Sequence, residues 1–316
     1  MSDFVVLLER RDDGVAVVTL NNGKVNALSG AVVARLHEIA DDLTADPPGA
    51  VVVTGGEKIF AAGADISEFG GPDEARPITD SIHGALDAIA AVPRFVIAAV
   101  SGYALGGGCE LAVHCARRVA HLESYVGLVE VGVGLIPGGG GLAYIARRAA
   151  EMAAAGNAKA DLLQFLTDGF TSAAMAKVAT SAIEARQAGW LLWDDLIVPH
   201  KDELLHVASA QVKAMAASGY RPPHKSVFPV AGRNAKATIM GQLVNLRDGG
   251  FASAHDFHIA SLIADVVCGG DVDAGSMVTE DYLMTLERKH FCSLLDHPKT
   301  QERIMGMLQT GKPVRN

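Results

Sequence analysis

The chain has 316 residues, 49% of them hydrophobic and 20% charged, with a formal net charge of −9. That length supports a substantial core, either as one large domain or as one domain with an extension. The acidic balance, with no long block of like charge, argues against nucleic acid as a partner, and no run approaches the roughly 20 apolar residues of a membrane span.

Four cysteines, Cys109, Cys115, Cys268 and Cys292, sit in apolar surroundings without CxxC or Cys/His zinc spacing. This is the pattern of buried free thiols in a reducing compartment. The N-terminal stretch shows no basic region followed by a long apolar run. These features predict a cytoplasmic protein.

In chain order, residues 4–9 and 14–20 are Val- and Leu-rich, and Asp13-Gly14 supplies a hairpin turn between them. Ser29 is a candidate N-cap for a helix over 30–43, which Asp46-Pro47-Pro48-Gly49 would stop. Residues 50–54 and 95–100 read as buried strands, and 78–91 as an amphipathic helix ending before Pro93. Helices alternating with apolar strands predict α/β architecture with parallel pairing. No G-x-G-x-x-G follows the first strand, which argues against an N-terminal dinucleotide site. Beyond Gly141 most segments read as helices: 142–155, 162–166, 172–179, 181–188, 201–217, 235–247, 253–268, 279–294 and 298–309, with a loop at 220–223. The expected organisation is a core over residues 1–200 and a helical region over 201–316.

The most unusual chemistry lies between Gly102 and Gly141. Gly106-Gly107-Gly108 precedes an apolar helix-like run with Glu110 in its first turn. A glycine turn opening a helix aims free N–H groups outward, suited to an anion or to an oxyanion formed in a transition state. Glu130 lies between Val129 and Val131 in a strand-like segment. If the two carboxylates face one cavity they make an acid–base pair; alternatively Glu110 is an ordinary first-turn acid and Glu130 an exposed strand end. Residues 138–141 look like a phosphate loop but lack the following Lys-Ser/Thr, so they read as a structural turn. His255-x-x-His258 lacks an acidic partner at metal-site spacing, so no metal is expected, and His114 reads as a packed or interfacial histidine rather than a catalytic base.

Phe60-Ala61-Ala62-Gly63-Ala64-Asp65-Ile66, the run from Gly102 to Ala112, Gly127-Leu128-Val129-Glu130 and Gly134-Leu135-Ile136-Pro137-Gly138 together resemble the crotonase superfamily, and within it the enoyl-CoA hydratases. The resemblance implies a crotonase-like ββα spiral with a C-terminal helical oligomerisation region that builds trimers or dimers of trimers. It implies an acyl-CoA thioester substrate and no cofactor beyond the CoA carried by that substrate. The backbone N–H groups of Ala64 and Gly107 match the oxyanion hole. Glu110 matches the carboxylate that deprotonates water, and Glu130 the one that protonates C2. Ala62, Ala64, Asp65, Ile66, Ser67 and Gly107 match the strip along the CoA thioester, and Lys24 a basic position near the CoA phosphates. Retention of both glutamates favours a hydratase over an isomerase on the same scaffold; a non-catalytic acyl-CoA-binding subunit is the reading from a different class.

Two departures stand out. Leu128-Val129 precedes Glu130 where the family usually has Gln-Pro. From about Ala98 onward the chain resembles the hydratase region of bacterial two-domain 3-hydroxyacyl-CoA dehydrogenases, whereas residues 1–97 resemble a short stand-alone hydratase. That mixture is the pattern of a mosaic with a seam near Ala98–Gly102. The dehydrogenase part has no counterpart in these residues, so the resemblance implies no nicotinamide chemistry.

Overall fold

The hairpin predicted at the N-terminus forms: strand β1 (Val6–Arg10) pairs antiparallel with β2 (Val15–Leu20). Gly14 takes a φ of +82° in the turn, a value open to glycine at little cost. From β2 the chain builds a parallel sheet through β3 (Ala50–Thr54), β4 (Val96–Val100), β6 (Arg117–His121) and β8 (Leu196–Val198). A separate parallel pair joins β5 (Tyr103–Leu105) to β7 (Tyr125–Gly127). The computed structural model describes residues 5–56, 59–69, 77, 84, 88, 92, 96–156, 161–219 and 227–316. The helix expected over 78–91 and the loop at 220–223 fall almost wholly outside the described residues.

Two compact units divide the chain. The first comprises Met1–Glu68, Ile78–Gly127 and Val178–Pro223; the second comprises Phe69–Pro77, Leu128–Lys177 and His224–Asn316. In the first, β3 and β4 are buried along their whole length because both faces of the sheet are covered there. Helix α1 (Gly30–Ala45) buries Leu36, Ile39, Ala40 and Leu43 beside Val18, Val51 and Val53. Val15, Val17, Val52, Ile97 and Val119 point to the other face, against Leu204, Ala208 and Val212 of a later helix (Leu204–Ala217). The predicted cap holds, as the Ser29 hydroxyl accepts the Val32 N–H. Asp195 and Arg118, both buried, join β6 to the segment before β8, with Arg118 Nε donating to Asp195 Oδ2 at 2.8 Å.

The second unit is built mainly of helices: Gly141–Gly156, Leu162–Ala174, Gly232–Asp248, Ala254–Val267, Glu280–Leu295 and Pro298–Thr310. Residues 162–166 and 172–179 are not two helices; one helix runs from Leu162 to Ala174 and ends at Met175. Within it, Thr167 Oγ1 donates back to the Leu163 carbonyl. Gly169 lies where a methyl group would meet Ile145 Cγ2 at 2.7 Å, so close helix packing selects that glycine.

Candidate active site

Each glycine of the central triplet answers a different constraint. Gly106 takes φ +52° and ψ −125°, open in practice only to glycine, and serves as N-cap of helix α2 (Gly107–His114). Its N–H donates to the Gly127 carbonyl at 2.9 Å, tying the turn to β7. Gly108 lies so close to the Phe60–Ser67 segment that a methyl group there would fall 2.3 Å from the Ala61 carbonyl oxygen. Gly107 is less closely enclosed. A methyl group on Gly107 would lie 3.2 Å from Leu28 Cδ1, 3.6 Å from the Ala64 nitrogen and 3.9 Å from Glu110 Oε2.

The Phe60–Ser67 segment reaches that point because it is pinned on both sides. Ala61 donates to the Tyr103 carbonyl and accepts from the Leu105 N–H, each at 3.0 Å. On the other side, Leu28 donates to the Gly63 carbonyl and accepts from the Asp65 N–H, a parallel bridge centred on Ala64. Such a bridge uses the neighbours of the central residue, so the Ala64 N–H points away from Leu28. The first N–H groups of an α-helix have no acceptor inside it, and Gly107 opens α2. The Ala64 nitrogen and the start of α2 at Gly107 thus lie close together, with Glu110 Oε2 on the same side of Gly107. Gly63, at φ +108°, permits the approach; a side chain there would meet the Leu105 carbonyl oxygen.

Glu110 is 3% exposed. It sits in the first turn of α2, where a negative charge is favoured by the helix dipole. Its N–H closes the first intrahelical bond, to Gly106 O at 3.0 Å. His114, half-buried, places Nδ1 2.7 Å from the Glu110 carbonyl oxygen, in keeping with a packed histidine.

The rest of the expected CoA strip lies along the same segment. Ala62, Ala64, Asp65 and Ile66 are half-buried and Ser67 is exposed. The Asp65 carboxylate accepts from the Ser67 N–H and hydroxyl, at 3.1 and 2.6 Å, opening the short turn Ile66–Glu68. Glu68 then accepts the Gly30 N–H at 2.8 Å and helps cap α1. Lys24 is exposed in the loop whose next residue, Val25, accepts the Ala62 N–H at 3.0 Å.

Asn26 escaped the sequence reading. It is buried, takes φ +48°, and its amide donates to the Gly55 and Ile59 carbonyls, both at 2.9 Å. It therefore fixes the start of the segment that carries Ala64. Asparagine in a Gly-Lys-Val-Asn loop is a signal for a left-handed position.

Glu130 belongs to the second unit. The strand expected around it does not form: β7 ends at Gly127, and Glu130–Val133 is a 3-10 turn closed by Gly134 at φ +82°. Alternating valines mimic a strand, but Gly134 lets the chain fold back, so Leu135 N–H donates to the Glu130 carbonyl at 3.1 Å. Nearby, the glycine loop before helix Gly141–Gly156 is structural. The buried Glu287 carboxylate accepts from the Gly140 and Ala143 N–H groups, each at 2.7 Å, filling the place an anion would take. His255 and His258 stack with rings 6.3 Å apart, and His255 Nε2 contacts Thr300 Oγ1 at 3.1 Å.

The sequence model of the enoyl-CoA hydratase/isomerase family matches residues 10–178, more than half of the chain. The chain belongs to this family. Among its relatives, the "Probable enoyl-CoA hydratase echA8" of Mycobacterium tuberculosis is 35% identical over 229 residues, 71% of this chain and 81% of that protein. The "Probable 3-hydroxyacyl-CoA dehydrogenase" of Bacillus subtilis is 40% identical over 226 residues, 70% of this chain. This family member spans only 27% of that relative's length. A solved enoyl-CoA hydratase from Mycobacterium avium subsp. paratuberculosis shares the fold, with TM-score 0.64 and 21% identity over 99% of this chain and 98% of that one. The architecture is therefore the crotonase-like fold expected from the sequence. Among the described residues, no helix is long and apolar enough to cross a membrane.

Proposed function

We propose that this family member adds water across the C2=C3 bond of a trans-2-enoyl-CoA to give the 3-hydroxyacyl-CoA. The observation that carries the reading is the meeting of the Ala64 and Gly107 backbone with Glu110: a point beside Gly107 lies 3.6 Å from the Ala64 nitrogen and 3.9 Å from Glu110 Oε2.

In this reading the thioester oxygen accepts from the Ala64 and Gly107 N–H groups. Negative charge grows on that oxygen as the enolate forms, so donors already fixed there stabilise the transition state more than the ground state. Glu110 takes a proton from water as its oxygen bonds to C3. The C2=C3 π electrons move toward the carbonyl, and Glu130, entering as the acid, gives its proton to C2. Glu110 gains one proton and Glu130 loses one, and exchange with solvent restores both. The role of Glu130 rests on the family resemblance at Gly127–Glu130. Ala62, Asp65, Ile66 and Ser67 would run along the pantetheine, and Lys24 would meet a CoA phosphate. A trimer, or a dimer of trimers, built through the C-terminal helices belongs to the same reading.

The test is hydration of crotonyl-CoA, followed as loss of the conjugated thioester absorbance, in wild type, Glu110→Gln and Glu130→Gln. Each variant is expected to lose roughly 100-fold or more in kcat. Full activity in either removes that residue from the mechanism. Conversion of a 3-enoyl-CoA without hydration would favour the isomerase. Tight CoA binding by an inactive wild type would favour a non-catalytic subunit.

A further inference from the structure

Within the short turn Glu130–Val133, Gly132 N–H donates to Val129 O, Gly134 N–H to Val131 O and Leu135 N–H to Glu130 O. Its outward carbonyls are met by the last helix of the chain, Pro298–Thr310. Thr300 Oγ1 donates to the Gly134 carbonyl at 2.8 Å, and Arg303 Nη1 donates to the Val131 carbonyl at 3.1 Å. Gly134 is the point of closest approach. A methyl group there would lie 2.9 Å from Thr300 Cα and 3.2 Å from Arg303 Cδ. Thr300 and Arg303 are 0% and 2% exposed.

Both side chains are themselves held. Arg303 Nη2 donates to Asp256 Oδ1 at 2.7 Å and Nε to Asn316 Oδ1 at 2.9 Å. The Thr300 hydroxyl has one hydrogen, which it gives to Gly134 O, so the contact with His255 Nε2 at 3.1 Å makes His255 the donor. Burying an arginine costs free energy unless every hydrogen bond is made. Here its fork reaches two elements of the C-terminal region and the turn that carries Glu130.

We propose that Thr300 and Arg303 are positioning residues for Glu130, fixing the height and direction of its turn from the C-terminal helix. The proposal rests on the reading of Glu130 as the acid that protonates C2. It assigns part of the proton-transfer geometry to residues some 170 positions away in sequence. It also answers the Leu128-Val129 departure: where the family usually leads into the glutamate with a rigid Gln-Pro, this chain holds the turn from behind.

The test compares Thr300→Val, Thr300→Ser and Arg303→Lys in the full chain, with folding checked by thermal denaturation. Thr300→Val keeps the shape and removes the donor. Its kcat on crotonyl-CoA is expected to fall roughly 10- to 100-fold with KM changed less than about twofold. Thr300→Ser is expected to restore most of the rate. Arg303→Lys is expected to behave like Thr300→Val, because an ammonium cannot reproduce the fork. In the Glu130→Gln background, Thr300→Val is expected to add no further loss. Amide hydrogen exchange over residues 130–135 should speed up in Thr300→Val whatever the chemistry. Wild-type kcat in folded Thr300→Val, with Glu130→Gln inactive, overturns the positioning role and leaves the hydratase reading intact. Wild-type kcat in Glu130→Gln overturns both. Unchanged exchange over 130–135 in Thr300→Val also overturns the positioning role, even if wild type proves inactive on crotonyl-CoA.

Discussion

Glu287 and Gly140 are 147 residues apart in sequence, yet the buried Glu287 carboxylate accepts the Gly140 N–H at 2.7 Å. The same carboxylate takes the Ala143 N–H and so caps helix Gly141–Gly156 from helix Glu280–Leu295. One turn further along, Phe291 packs on Gly138, where a methyl group would lie 2.7 Å from its ring. The loop that resembles a phosphate cradle is thus closed by the protein's own anion.

Removing that anion should cost stability. Glu287→Ala leaves buried N–H groups without an acceptor and is expected to lower the unfolding free energy by about 3 kcal/mol. Glu287→Gln keeps an acceptor oxygen and should cost clearly less. Chemical denaturation of the two variants measures this; equal, small losses would mean that water replaces the carboxylate.

The glycine triplet makes a sharper prediction, because its members answer different constraints. Gly108→Ala drives a methyl group into the Ala61 carbonyl at 2.3 Å and should destabilise the fold by about 2 kcal/mol or more. Gly107→Ala meets only the flexible end of Leu28 at 3.2 Å, so stability should change by less than about 1 kcal/mol. Its methyl group nevertheless intrudes where the thioester oxygen would sit. Hydration should fall roughly 100- to 1,000-fold. A Gly107→Ala protein that is stable and hydrates at the wild-type rate would show that the oxyanion lies elsewhere.

His255 predicts a pH dependence. Its Nε2–H is committed to Thr300 Oγ1, and the buried Nδ1 has no hydrogen-bond partner among the described residues. Burial first, then the facing charges of Arg303, His297, His258 and Lys299, lower its pKa to about 4 from the ordinary 6.5. The folded protein therefore favours neutral His255. The associated stability is fully present above pH 6.5 and is lost as the pH falls from 6.5 toward 4, by at most about 1.4 kcal/mol per pH unit. Asp265, held at about 2 chiefly by its hydrogen bond to His290, loses its contribution only below that window. His255→Gln keeps a donor for Thr300 and cannot titrate. Its unfolding free energy should fall less steeply between pH 6.5 and 4; identical slopes for both proteins would refute the assignment.

The sequence determined the elements whose signals are local. The Asp13-Gly14 hairpin, the Ser29 cap, the apolar strands and the helix opened by Gly106-Gly107-Gly108 follow from turn chemistry, capping and periodicity within a few residues. Motif spacing carried the family, because several short segments had to match at once. What the sequence misjudged was local pattern without local cause. Glu130 alternates with valines as in a strand, yet Gly134 and the donors of Thr300 and Arg303 make a tight turn of it. Only the tertiary structure decided that Gly107 rather than Gly108 faces Ala64 and Glu110, and that Asn26 pins the segment leading to Ala64. It also decided that Glu287 fills the glycine loop. In each case the deciding partner lies tens to more than a hundred residues away, where a buried polar group must find its bond wherever the fold brings one.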